Sequence, residues 1–305
     1  MSPAEPAVTV GHPPAAAAGS IICGGCGLLC DDLTCTANTG CAAADRWFTS
    51  GDHRPVTAVD SQPATLEAAI TAVAHRLSTA RRVLVTGLTS VPLEAVRLAC
   101  GLAEHLTAAV DAGTADAALL TGPTIARVGE VTAAFEELRD RADLAIFWGC
   151  DPAASHPRFV ERFVKPARPQ GSRRTICLGP QPVLPAAEAS LHLPLEQHQF
   201  INAARLLQAA IEGSGIHSAD GPLTAVVSEL KAAVEAADCI GIVSSTTTDP
   251  SGLTAWSLAQ LVRALAHRKP AFQIPLGAGI AAGGGNAAGV ATSCGWRYGA
   301  PGAIA

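Results

Sequence analysis

Five of the ten cysteines crowd into residues 23–41: Cys23, Cys26, Cys30, Cys35 and Cys41. Thiolates are soft donors, and several on one short stretch can hold an iron–sulfur cluster or a zinc ion, or pair as disulfides where the compartment is oxidising. The spacing Cys23-x2-Cys26-x3-Cys30 lets one loop supply three donors to a cube, and Cys41 follows a turn, TANTG, that can bring a fourth back to it. Zinc prefers paired knuckles, and the second pair on offer, Cys35-x5-Cys41, is wider than a usual knuckle. Spacing therefore favours a cluster, present or relic, over zinc. Asp31 and Asp32 could serve as carboxylates beside the motif, but turn capping is the expectation. The other five cysteines, Cys100, Cys150, Cys177, Cys239 and Cys294, are scattered, mostly in apolar runs, and read as small buried hydrophobes.

Other signals are weaker. Gly277-x-Gly279-x-x-Ala282 imitates a dinucleotide fingerprint, yet Gly283–Gly285 interrupt the helix that should follow. No acidic residue stands about 20 positions on, where a ribose would need one. A tight glycine-rich loop is expected there, and an NAD-dependent enzyme ranks last among the readings. His192 and His198 have no third ligand nearby and read as surface or packing residues. GxSxG, P-loop and HExxH signatures are missing.

Beyond residue 60 the pattern predicts the elements that must position such residues. PATLEAAITAVAHRLSTA places Leu66, Ile70, Val73 and Leu77 on one helical face. Strand-like runs such as RRVLVTG, DLAIFWG, RRTICLG, DCIGIVSS and PAFQIPLG alternate with helical ones, and several end at a glycine: Gly87, Gly149, Gly179 and Gly277. That alternation predicts an α/β fold with a parallel sheet covered on both faces, and a site beyond the carboxyl ends of its strands. The organisation expected is a flexible arm over 1–20, a small Cys-rich lobe over 21–60 and α/β structure over 61–305.

Charged residues make up only 15% of the chain and hydrophobic ones 49%. That is enough for a large core, and it predicts apolar surface that seeks partners. A net charge of −5 leaves no basic footprint for nucleic acid. No run reaches the roughly 18 apolar residues of a membrane helix. No Lys or Arg precedes Arg46, so the N-terminus lacks the positive region of a secretory signal, and a cytoplasmic location is expected.

Three separated stretches, CGGCGLLCDDL (Cys23–Leu33), FWGCDPAASHPR (Phe147–Arg158) and GNAAG with GWRYGAP (Gly285–Gly289, Gly295–Pro301), together resemble the B subunit of formylmethanofuran dehydrogenase, of the molybdopterin-oxidoreductase superfamily. The likeness is greatest to the B subunit of the bacterial formyltransferase/hydrolase complex. It implies molybdopterin-oxidoreductase-like parallel-sheet lobes, and it matches Cys23, Cys26, Cys30 and Cys41 to the ligands of a 4Fe–4S cluster. The stretch between Cys30 and Cys41 is shorter than in the family.

Redox members carry a thiolate or selenolate, followed by His-Gly-Pro, at the tungsten or molybdenum. Here the same place reads Leu120-Thr121-Gly122-Pro123. Leucine offers no donor to a soft metal, and threonine cannot replace imidazole in proton transfer. The family also continues beyond the position of Ala305. The expectation is thus a non-redox, structural B subunit without tungsto- or molybdopterin. Its partners would be a formyltransferase subunit, a zinc amidohydrolase-like subunit and a β-helical C-type subunit. In that family the complex moves a formyl group from tetrahydromethanopterin to methanofuran and releases formate. The alternative is a redox-active subunit with metallopterin and cluster.

Overall fold

A computed structural model of the chain describes residues 21–50, 57–111, 128–169, 171–214, 221–245, 252–276 and 286–299. After the cysteine loop come α1 (Ala42–Ser50), a short hairpin of β1 (Ala58–Val59) and β2 (Gln62–Pro63), α2 (Leu66–Thr79), β3 (Leu84–Thr86), α3 (Leu93–Leu106) and β4 (Ala109–Asp111). Then follow α4 (Phe135–Asp140), β5 (Leu144–Trp148), α5 (Pro152–Ser155), a π-helical turn over Val160–Val164, β6 (Arg174–Gly179) and β7 (Leu191–Pro194). The remaining elements are α6 (Phe200–Ile211), α7 (Pro222–Ala236), β8 (Ile240–Ser245), α8 (Leu253–Ala266), β9 (Ala271–Leu276) and α9 (Ala287–Tyr298).

Five strands form one parallel sheet in the order β7-β6-β5-β8-β9. All five residues of β5, Leu-Ala-Ile-Phe-Trp, are buried, as a central parallel strand covered on both faces requires. Its side chains alternate between two cores. Leu144, Ile146 and Trp148 join Leu207, Leu230 and Leu261 from α6, α7 and α8. Ala145 and Phe147 point the other way, toward Leu138, Phe159, Phe163 and the cysteine loop. Walking outward from β5, the chain adds β6 and β7 on one side, then returns to add β8 and β9 on the other. The order therefore reverses between β5 and β8, and the crevice of such a sheet lies at the carboxyl ends of those two strands. The expected α/β class and the parallel sheet are both present.

A second, two-stranded parallel sheet pairs β3 with β4 and shares a small core with α3 and α9, built on Val96, Cys100, Val110, Val290 and Cys294. The five scattered cysteines are all buried, and burial pushes the Cys150 thiol up to about 12 and Cys294 up to about 11. They behave as apolar filling. Among the described residues no helix is long and apolar enough to cross a membrane.

Two expectations need correction. α2 forms where the 3.6-residue period placed it, with Thr65 Oγ1 accepting from the Ala68 N–H as its cap, but none of its residues is buried. Leu66, Ile70 and Val73 are 67%, 60% and 54% exposed. The period is helical, yet no layer of the described structure covers that face. A helix, α9, does begin soon after Gly283–Gly285. Asn286 anchors its start, with its N–H on the Thr89 carbonyl at 2.7 Å and its side-chain amide on the Val91 carbonyl at 2.8 Å. Within residues 21–60 the chain forms one helix, α1.

Asp143 ties the amino ends of β5 and β8 together. Its carboxylate accepts the backbone N–H of Cys239 at 2.7 Å and of Asp238 at 2.9 Å. Burial alone would raise this carboxyl's pKa; the two N–H groups outweigh it and hold the group below its ordinary range. A depressed carboxyl contributes stability above its unfolded value of about 4, and that contribution is lost as pH falls through the lower folded value. Asp143→Ala should cost roughly 1 kcal/mol at pH 7 after solvent screening. In urea titrations the gap to the parent should close as the pH is taken below about 4.

Candidate metal centre

The cysteine loop is a small antiparallel turn. Ile21 N–H donates to the Leu33 carbonyl at 3.1 Å and Cys23 N–H to the Cys30 carbonyl at 2.9 Å, which sets Cys23 opposite Cys30. The glycines between them are demanded by space. A Cβ on Gly24 would lie 2.7 Å from the Trp47 ring, and one on Gly25 would lie 2.5 Å from the Ala43 carbonyl oxygen. Both obstacles belong to α1, so the helix lies directly on the loop. Beyond Cys30 the chain reverses through Asn38 (φ 55°) and Gly40 (φ 77°), both left-handed. Cys41 then directly precedes α1. Thr39 and Asp45 lock that reversal: the Asp45 carboxylate accepts Thr39 N–H at 2.8 Å and its hydroxyl at 2.9 Å.

Cys23, Cys26, Cys30 and Cys41 line one small cavity together with Leu28, Leu33, Ala43, Ala44 and Arg158. Cys35 is exposed and stands outside that wall. Gly25 N–H points at Cys23 Sγ, 3.3 Å away. Burial raises the Cys26 thiol, and the neighbouring Cys30, Cys41 and Cys23 add to it against the opposing Leu28 N–H. Burial also raises Cys30, with Arg162 and Arg158 pulling the other way. Both thiols hold their protons at neutral pH, so loading a metal here releases protons.

Among the described residues, no three His, Cys, Asp or Glu side chains converge as ligands of a single ion. A zinc ion needs such a point. In a four-iron cube each corner takes its own thiolate, so its donors ring a volume instead. Four thiols on one wall match a four-iron cluster in the kind and number of donors it takes.

Asp31 and Asp32 do not cap the turn as expected. They clamp the lobe to the segment after β5. Arg158 grips Asp32 bidentately at 2.8 and 2.6 Å and reaches Glu161 at 2.6 and 3.0 Å. Arg162 donates to Asp32 at 2.8 Å and to Asp31 at 3.1 Å. Sequence reasoning missed both arginines; the available signal was their i, i+4 spacing, which puts two cations on one helical face. It also missed His156. That ring is buried, sits 2.7 Å from Ser155 Oγ through Nδ1, and lies so close to the loop that a Cβ on Gly27 would be 3.2 Å from Nε2.

These groups stand beyond the carboxyl end of β5, at the reversal of strand order. Gly149 makes the turn with φ 55°, and a Cβ there would lie 2.1 Å from the Phe200 ring. Just before it, Trp148 is buried, and its indole N–H meets no acceptor among the described residues. Gly87 and Gly179 also end strands, β3 and β6. Leu120, Thr121, Gly122 and Pro123 lie outside the described residues, as do Gly277 and Gly279 of the fingerprint-like loop. His192 Nε2 donates to the Gly179 carbonyl, 2.9 Å away, and His198 is exposed, in keeping with packing and surface roles.

No family model matches the chain. The B subunit of the tungsten-containing formylmethanofuran dehydrogenase 2 of Methanococcus maripaludis is 28% identical over 225 residues, covering 65% of this chain and 51% of that protein. The protein of the same name from Methanocaldococcus jannaschii is 26% identical over 220 residues, covering 64% and 50%. The chain thus spans about half the length of the curated relatives it matches. A chain in the crystal structure of the formyltransferase/hydrolase complex from Methylorubrum extorquens, solved with methylofuran, superposes with a TM-score of 0.58 at 22% identity, covering 79% of this chain and 65% of that one. By sequence the chain is homologous to the B subunit of formylmethanofuran dehydrogenase, and it shares the fold of a chain in the formyltransferase/hydrolase complex.

Proposed function

We propose that the chain is a non-redox B subunit of a formyltransferase/hydrolase-type complex, in one-carbon metabolism linked to tetrahydromethanopterin and methanofuran, and that it works in the cytoplasm. The homology supports the one-carbon role. The observation that carries the non-redox part is Leu120-Thr121, which offers neither a thiolate nor an imidazole where a metallopterin enzyme needs both. Transfer of the formyl group and its release as formate then fall to partners: a formyltransferase, a zinc amidohydrolase-like subunit and a β-helical C-type subunit. The open apolar face of α2 is in keeping with a chain that works inside an assembly.

Cys23, Cys26, Cys30 and Cys41 are the proposed ligands of a 4Fe–4S cluster. Bound there, it would supply a cross-link between the loop and the start of α1. In this reading the residues around it do structural work: the two glycines let α1 close on the loop, and Asp31 and Asp32 hold the lobe on the sheet. The arm over 1–20, the lobe over 21–60 and the α/β part over 61–305 are the proposed units.

The test is elemental analysis of the protein and its complex purified without air. About four irons per chain and no tungsten or molybdenum are expected. One tungsten or molybdenum per chain would overturn the reading. It would restore a redox-active subunit with metallopterin, which the tungsten-containing relatives favour.

A further inference from the structure

The ion-pair network beside the cysteine cavity has an unequal composition. Two guanidiniums, Arg158 and Arg162, face three carboxylates, Asp31, Asp32 and Glu161. Arg158 is itself part of the cavity wall. The arginine side chains are 17% and 21% exposed, so their charges are only partly screened, whereas Asp32 is 47% exposed. Any electron entering a four-thiolate site adds one negative charge to it. Nearby guanidiniums stabilise that charge, and a carboxylate beside it opposes it.

We propose that this network tunes the reduction potential of the four-cysteine site: Arg158 and Arg162 raise it, and Asp32 lowers it. The inference rests on the cluster reading above and adds a role for residues that are not ligands. Arg158 sits between the two effects. Its charge reaches the thiolates directly, but Asp32 and Glu161 both draw on it, so removing Asp32 leaves more of that charge to the site. The redox step is the uptake of one electron from a one-electron reductant such as dithionite, with no bond made or broken.

The experiment is a potentiometric titration of the anaerobically purified protein with dithionite, and with titanium(III) citrate below its range. The readout is the electron paramagnetic resonance signal of the reduced cluster, with iron content measured alongside. Arg158→Gln should shift the midpoint to lower potential and Asp32→Asn to higher potential. A tenfold change in the oxidised-to-reduced ratio corresponds to about 59 mV for one electron, and shifts of that order are expected. Arg158→Lys, which keeps the charge, should return most of the way to the parent. A purely mechanical clamp would lower iron content in both variants without moving the midpoint in opposite directions. Shifts of the same sign, no shift at full iron content, or loss of iron from both variants would each overturn the proposal. An iron-free parent would overturn the cluster reading itself, and this inference with it.

Discussion

Serine in place of any one of Cys23, Cys26, Cys30 or Cys41 is expected to strip the protein of iron, while Cys35→Ser keeps the parent's full complement. The four line one cavity, and Cys35 faces solvent outside it. A cube held by four thiolates loses a corner when one sulfur becomes a hydroxyl, a hard and weakly acidic donor. Iron content should fall from about four per chain to less than one, with the broad visible absorption lost in step. The fourth donor is the most exacting part of the test. Iron retained in Cys41→Ser and lost in Cys35→Ser would show that the turn through Asn38 and Gly40 returns the wrong sulfur.

Gly149→Ala should be among the most destabilising single substitutions in the sheet. Two costs coincide there. The residue is left-handed, at φ 55°, and a Cβ would be driven to 2.1 Å from the Phe200 ring, which is itself packed in the larger core. Backbone strain of this kind costs about 1 kcal/mol or more, and overpacking against a fixed aromatic adds about 1–3 kcal/mol. A loss of about 3–4 kcal/mol in urea unfolding is expected. Gly87→Ala is the control: φ is 80°, but nothing lies within 4 Å of its Cβ, so only the strain applies. Equal losses at the two positions would mean that Phe200 gives way freely and that the tight turn does not fix the β5 loop.

Much of this was legible in the residues. β5, β6, β8 and β9 announce themselves as short apolar runs, all but β8 ending at glycine, because a parallel strand buried on both faces admits little else. Spacing and likeness pair Cys41, not Cys35, with Cys23, Cys26 and Cys30, and those four share one cavity wall; their role as ligands is the proposal. β7 was not legible: Leu-His-Leu-Pro is too short for a period, and it pairs because β6 offers an edge. The partners of Asp31 and Asp32 were invisible for a different reason. An acidic pair after a turn looks local, and nothing in its neighbourhood shows that the balancing cations stand more than a hundred residues away.

That separation has a consequence for the order in which the chain is made. Asp32 meets Arg158 across 126 positions. At roughly 5–20 residues per second, the cysteine loop leaves the ribosome about 6–25 seconds before the segment that clamps it exists. During that interval α1 can fold onto the glycines, but the side of the loop that faces His156 and Arg158 has no cover. The four thiols are therefore most open to an incoming iron–sulfur donor, and to oxidants, before the sheet is finished. Docking of the lobe closes that window.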